Sequence, residues 1–191
     1  MRLRVEHSTH YHFDGHVAYA LQQLRLGPKE RPGQQLIHGW SIDIEGGEQQ
    51  LHYTDHHGNG VDLVSVNSGA SELVIRCTGE VELITWDGVI GAHRGAMPLW
   101  TFLRPTALTR AGRGVRALTA ALGRDYASDI ERAHALSALI IDKLPYRIGV
   151  TDAETTGEQA LGGEGGVCQD HAHIFIAAMR HLGHPARYVS G

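Results

Sequence analysis

Cys168 heads the stretch Cys168-Gln169-Asp170-His171-Ala172-His173, directly behind the glycine-rich run Gly162-Gly163-Glu164-Gly165-Gly166. A cysteine is a useful nucleophile only as thiolate, and the unpaired amides at a helix N-terminus favour that form. Beyond Cys168, the residues Ala172, Phe175, Ile176, Met179 and Leu182 recur at helical spacing, and Gly183 and Pro185 end the pattern. The spacing predicts a helix with Cys168 as its first residue. Glycines just before it let a substrate carbonyl approach the backbone, where an amide at the nucleophile could hold an oxyanion. The chemistry such a thiol could perform is acyl transfer through a thioester. The same pattern also suits a small buried hydrophobe at a helix start, and a lone cysteine without a paired histidine does not separate the two.

The neighbours of Cys168 divide by what their spacing allows. His171 lies three residues on, along the same helix face, and could perturb the thiol. A general base also needs a hydrogen bond to sulfur and an orienting partner, an unusual geometry from one turn along the same helix. Asp170 is expected to cap backbone amides at the helix start rather than take part in chemistry. Gln169 is expected near the substrate cleft. Gln169, Asp170 and His171 are therefore the candidates for cleft or helix-start support, with Cys168 the catalytic candidate. His173 falls well around the helix, as packing or a solvated side chain. Gln159 has no spacing that makes it an oxyanion donor.

The chain has 14 histidines, so metal binding is the rival chemistry. His7, His10, His12, His16, His52, His56 and His57 fall in the first part of the chain, with His10 and His12 on one strand face. Zinc needs three or four ligands and a supported second shell. These scattered positions define none and suit solvated strand faces. No metal and no cofactor are expected. Cys77, in a strand pattern, is expected in the core, and Trp40, Trp86 and Trp100 are expected as packing anchors.

Two kinds of element must position the site. To about Trp86 the period is that of strands: Leu3 to Phe13, Ala18 to Leu26, Leu36 to Ile44, Leu51 with Tyr53, Val61 to Val66 and Leu73 to Leu83, separated by glycine-bearing turns. This predicts an antiparallel β-sandwich. Helical spacing then takes over. Met97 to Leu103 reads as a short helix or turn, and Val115 to Leu122 as a helix closed by Gly123. Ser128-Asp129-Ile130-Glu131 is a capping box opening a helix to about Leu144, with Ile130, Ala133, Ser137 and Ile141 along one stripe joined by Leu136 and Leu144. Thr155 to Leu161 reads as a helical turn, and Ala186 to Gly191 as the start of a strand. The boundary is expected between Trp86 and Pro98, giving a β domain over residues 1–90 and a second domain over 98–191.

Bulk properties exclude several partners. In 191 residues, 42% are apolar and 20% charged, with a net charge of −4. That supports a hydrophobic core and offers no basic cluster for nucleic acid or an anionic membrane. Two cysteines do not make a disulfide framework and suit a reducing compartment. The first residues lack a signal peptide's apolar region, and no stretch has membrane-spanning length. A cytoplasmic protein is expected.

The run Gly166-Val167-Cys168-Gln169-Asp170-His171-Ala172-His173, followed by Ala177-Ala178-Met179-Arg180 and by Leu182-Gly183-His184-Pro185-Ala186-Arg187-Tyr188-Val189-Ser190-Gly191, resembles the bacterial transglutaminase-like family. His7-Ser8-Thr9-His10-Tyr11, Leu24-Arg25-Leu26-Gly27-Pro28 and Asp55-His56-His57-Gly58-Asn59 resemble the β-rich domain that precedes the core in those proteins. The resemblance implies an α+β protein, a β-sandwich followed by the helical first part of a papain-like core, with Cys168 as nucleophile. It implies acyl transfer at amide or peptide carbonyls without a cofactor, with hydrolysis expected over cross-linking and a peptide or amide as substrate. The family's catalytic histidine, in a His-Ala-Trp context, and its aspartate lie beyond the Tyr-Val-Ser-Gly segment, and this sequence holds no His-Ala-Trp. The expectation is a C-terminally truncated fragment, inactive alone, whose open core edge could favour a homodimer or strand exchange. A non-enzymatic binding or oligomerisation module is the alternative.

Overall fold

Alternation of apolar and polar residues in the first half of the chain becomes six strands in the computed structural model, which describes residues 1–84, 92–93, 95–123 and 125–189. The strands are β1 (Arg2–His12), β2 (Leu21–Leu24), β3 (Gln35–Glu45), β4 (Gly47–Thr54), β5 (Gly60–Val66) and β6 (Glu72–Leu83). They form two three-stranded antiparallel sheets, ordered β1-β6-β3 and β2-β5-β4. The chain divides into two compact units, Met1–Met97 and Pro98–Gly191.

In the first unit, Leu24, Val64 and Val66 from one sheet meet Leu73, Ile75 and Cys77 from the other in a single apolar cluster, flanked by Trp40, Ile42 and Ile44. Cys77 sits in register between His7 and Ile42 and is buried. Gly46 joins β3 to β4 at φ +83°, and a Cβ there would run into the Glu72 carbonyl oxygen. The β4–β5 turn is organised by Asp55, whose carboxylate accepts from the amides of His57 and Asn59, from the Asn59 side chain and from Arg25. The run from Ala18 to Leu26 yields only the four-residue β2. Among the described residues no group of three or more His, Cys, Asp or Glu is arranged to hold a metal ion. His10 and His12 are exposed on β1.

The second unit begins with a 3-10 turn, Leu99–Leu103. Four helices follow: α1 (Arg113–Ala121), α2 (Asp129–Lys143), α3 (Gly157–Leu161) and α4 (Cys168–His181). Their core joins Val115 and Leu118 of α1, Leu136 and Ile140 of α2, Leu144, Ala160, and Ile174, Ala177 and Ala178 of α4. The buried stripe of α2 is Leu136, Ile140 and Leu144, spaced by four. The expected stripe was offset: Ile130 and Ile141 are 52% and 65% exposed. Ser128 caps α2 through Glu131 N, but Glu131 accepts from Ala127 N rather than from Ser128, so its carboxylate reaches one residue further back than a capping box requires.

The N-cap of α1 is Gly112, which has no side chain to cap the helix. Glu158 of α3 supplies the missing acceptor, taking the amides of Gly112, Gly114 and Val115. Trp100 is 62% exposed and is no packing anchor, while Trp86 lies outside the described residues. Residues 184–189 run without strand pairing, because no neighbouring strand among the described residues offers them a ladder. No described helix is long and apolar enough to cross a membrane.

Candidate thiol site at the start of helix α4

Helix α4 begins at Cys168 because Val167 is extended, at φ −105° and ψ −178°, and turns the chain into the helix. Val167 has no side-chain acceptor for the first-turn amides. Asp170 provides half of a capping box from within the helix. Its Oδ2 accepts from Val167 N at 2.7 Å and from the Thr151 hydroxyl at 2.7 Å. The Asp170 side chain is fully buried at 1% exposure. It fits only because the residue before Val167 is glycine: a Cβ on Gly166 would lie 2.8 Å from Asp170 Cβ.

The approach to the thiol is held from the other side by the segment that follows α2. Gly166 N donates to Pro145 O at 3.1 Å, and Arg147 N donates to Gly166 O at 2.9 Å. Tyr146 and Gly166 form a parallel bridge. His171 completes the bracing. Its Nδ1 lies 2.8 Å from Val167 O and its Nε2 2.8 Å from Leu144 O. Two elements distant in sequence, the end of α2 and Thr151, thus position one helix start.

Cys168 itself is exposed and carries a free thiol. Gln169 beside it is half-buried. Both His171 nitrogens stand 2.8 Å from backbone carbonyls, and no hydrogen bond joins the ring to the thiol among the described residues. His173 is buried against Tyr188, ring centroids 5.9 Å apart, and its Nδ1 has no hydrogen-bond partner among the described residues. The Gln159 side chain accepts from the amide and hydroxyl of Thr156, closing the cap of α3. A cleft of about 410 Å³ lies beside the glycine loop, lined by Thr151, Asp152, Glu154, Gln159, Glu164 and Gly165 among others. Burial raises the Cys77 thiol above its ordinary value, and Asp43 raises it further. Cys77 is buried, whereas Cys168 is exposed.

Sequence reasoning singled out Cys168, Asp170 and His171 but not Thr151 or the Leu144 carbonyl, which lie outside the motif. Thr151 carries no local signal, since its partner is 19 residues away.

Residues 116–191 match the transglutaminase-like superfamily, and residues 3–82 match the bacterial transglutaminase-like N-terminal region. The two stretches thus each match a transglutaminase-like family model. The core match supports a thiol-dependent enzyme family. Over all of its length the chain is 29% identical to an uncharacterized protein of Mycobacterium leprae (strain TN), covering 70% of that protein. It is also similar in fold to the crystal structure of "a putative cysteine protease" from Cytophaga hutchinsonii, with a TM-score of 0.73 at 18% identity. The match covers 97% of this chain and 65% of that one, so the chain spans just under two thirds of the solved protein. The α+β chain, with antiparallel sheets followed by helices, carries its thiol where a helix start meets a glycine loop.

Proposed function

We propose that Cys168 is the nucleophile of a cysteine-dependent acyl transfer at amide or peptide carbonyls, and that the outcome is hydrolysis. The observation that carries this reading is the exposed thiol on the first residue of α4, at a helix start braced by Asp170, Gly166 and His171. Helix-start amides favour anionic sulfur and a developing oxyanion alike. The thiolate adds to the carbonyl carbon and forms the C–S bond. The tetrahedral intermediate then expels the amine, which leaves with a proton. Water attacks the thioester, releases the carboxylic acid and restores the thiol. The match of residues 116–191 to the transglutaminase-like superfamily supports the thiol chemistry.

An acid–base group must accompany the thiol. Among the described residues no imidazole hydrogen-bonds Cys168, and we propose that these 191 residues alone turn over little substrate. Two free cysteines support a reducing, cytoplasmic setting. The test is labelling with a thiol-directed electrophile at neutral pH, read by peptide mass. Cys168 is expected to label much faster than a model thiol, and Cys77 only on unfolding. Labelling of Cys168 at the model rate would remove the activated nucleophile.

A further inference from the structure

We propose that His171 carries both ring protons, and as an imidazolium staples the start of α4 to the end of α2 while holding a positive charge one turn from Cys168. The inference rests on the proposed function only in taking Cys168 as the nucleophile.

The geometry supplies the protons. Nδ1 stands 2.8 Å from Val167 O, and Nε2 stands 2.8 Å from Leu144 O. Carbonyl oxygens accept and never donate, so each nitrogen must bring a hydrogen. A neutral ring has only one and would set a nitrogen lone pair against a carbonyl lone pair. Leu144 is the C-cap of α2, where the helix dipole leaves its negative end. The Tyr146 ring lies nearly parallel to the imidazole, at 12° and 6.3 Å. The other titratable groups near it on α4 are Cys168 and Asp170, and the Asp170 carboxylate is engaged with Val167 N and Thr151.

Two consequences follow for the thiol. The Val167 carbonyl, one residue before Cys168, is fixed by the His171 amide at 3.1 Å as well as by its ring. A charge three residues along the same helix face also favours the thiolate. His171 is then a positioning residue and not the base.

Imidazole nitrogen–proton correlation spectra of the 191-residue chain, assigned through bonds, test the charge state. Both His171 nitrogens are expected to carry a proton at neutral pH, as two carbonyl acceptors require. One unprotonated His171 nitrogen at neutral pH would overturn the proposal. Alkylation of Cys168 by iodoacetamide tests the effect on the thiol. His171→Gln should slow it about three- to tenfold at neutral pH, and His171→Arg should restore it in part. An unchanged rate in a folded His171→Gln variant would also overturn it. If that variant does not fold, the spectra of the unaltered chain still decide. Neither readout needs turnover, so a full-length protein that fails to hydrolyse amides would sink the proposed function without touching this result.

Discussion

The Asp170 carboxylate reaches back 2.7 Å to the Val167 amide, so the residue that sets the start of α4 lies just past the thiol it positions. The same Oδ2 takes the Thr151 hydroxyl at 2.7 Å. Removing a buried acceptor leaves its donors unpaired, which costs about 1–3 kcal/mol. Asp170→Ala should lose about that much in chemical denaturation, and Thr151→Ala about 0.5–1.5 kcal/mol. Asp170→Asn keeps an acceptor oxygen and should fall between the unaltered chain and Asp170→Ala. Wild-type stability in Asp170→Ala would show that the cap contributes nothing.

Glu158 caps a helix to which it does not belong. It takes the amides of Gly112, Gly114 and Val115 at the start of α1. Glu158→Ala should destabilise the second unit by about 1–3 kcal/mol. Hydrogen exchange at those three amides should rise first, ahead of the α2 amides. Unchanged protection there would contradict the cap.

The face of α2 is tested by a pair of substitutions. Leu136→Ala opens a cavity at a fully buried site and should cost about 2–5 kcal/mol. Ile141→Ala, at a residue 65% exposed, should stay within about 0.5 kcal/mol. Equal losses would return Ile141 to the core.

Much of this architecture is legible in the residues, and the misses share a cause. Strand period marks β3, β5 and β6 because one face of each meets apolar neighbours, and the glycine loop before an apolar-striped helix marks Cys168. Along α2 and its C-cap the expected Leu136, Leu144 and Ala133 do meet the core, while Ile130, Ser137 and Ile141 are exposed, because they fit helical spacing as well as the true face does. Only the position of α4 and α1 decides between them. The Glu158 cap is a contact across more than forty residues, and no local pattern announces it. His171 was visible as a neighbour of the thiol, but its second partner, the Leu144 carbonyl, belongs to another helix.

Asp55 predicts a pH dependence in the first unit. The Asn59 amide leads the hydrogen bonds, with Arg25, the Asn59 side chain and the His57 amide, that hold its carboxyl well below the ordinary value of 3.8. A carboxylate depressed in the folded state contributes stability above the unfolded value and loses it as pH falls through the folded one. The stability advantage of the unaltered chain over Asp55→Asn should be full near neutrality. It should begin to shrink below about pH 4 and still be present at about pH 2. A difference independent of pH across that range would remove Asp55 as an ionised turn residue.

Everything proposed about chemistry depends on the sulfur of Cys168. The most direct measurement is amide hydrolysis by the full-length gene product against its Cys168→Ala variant, with circular dichroism showing that both fold. Loss of the nucleophile should lower the rate about a thousandfold or more. Equal rates in the two proteins would contradict thiol catalysis.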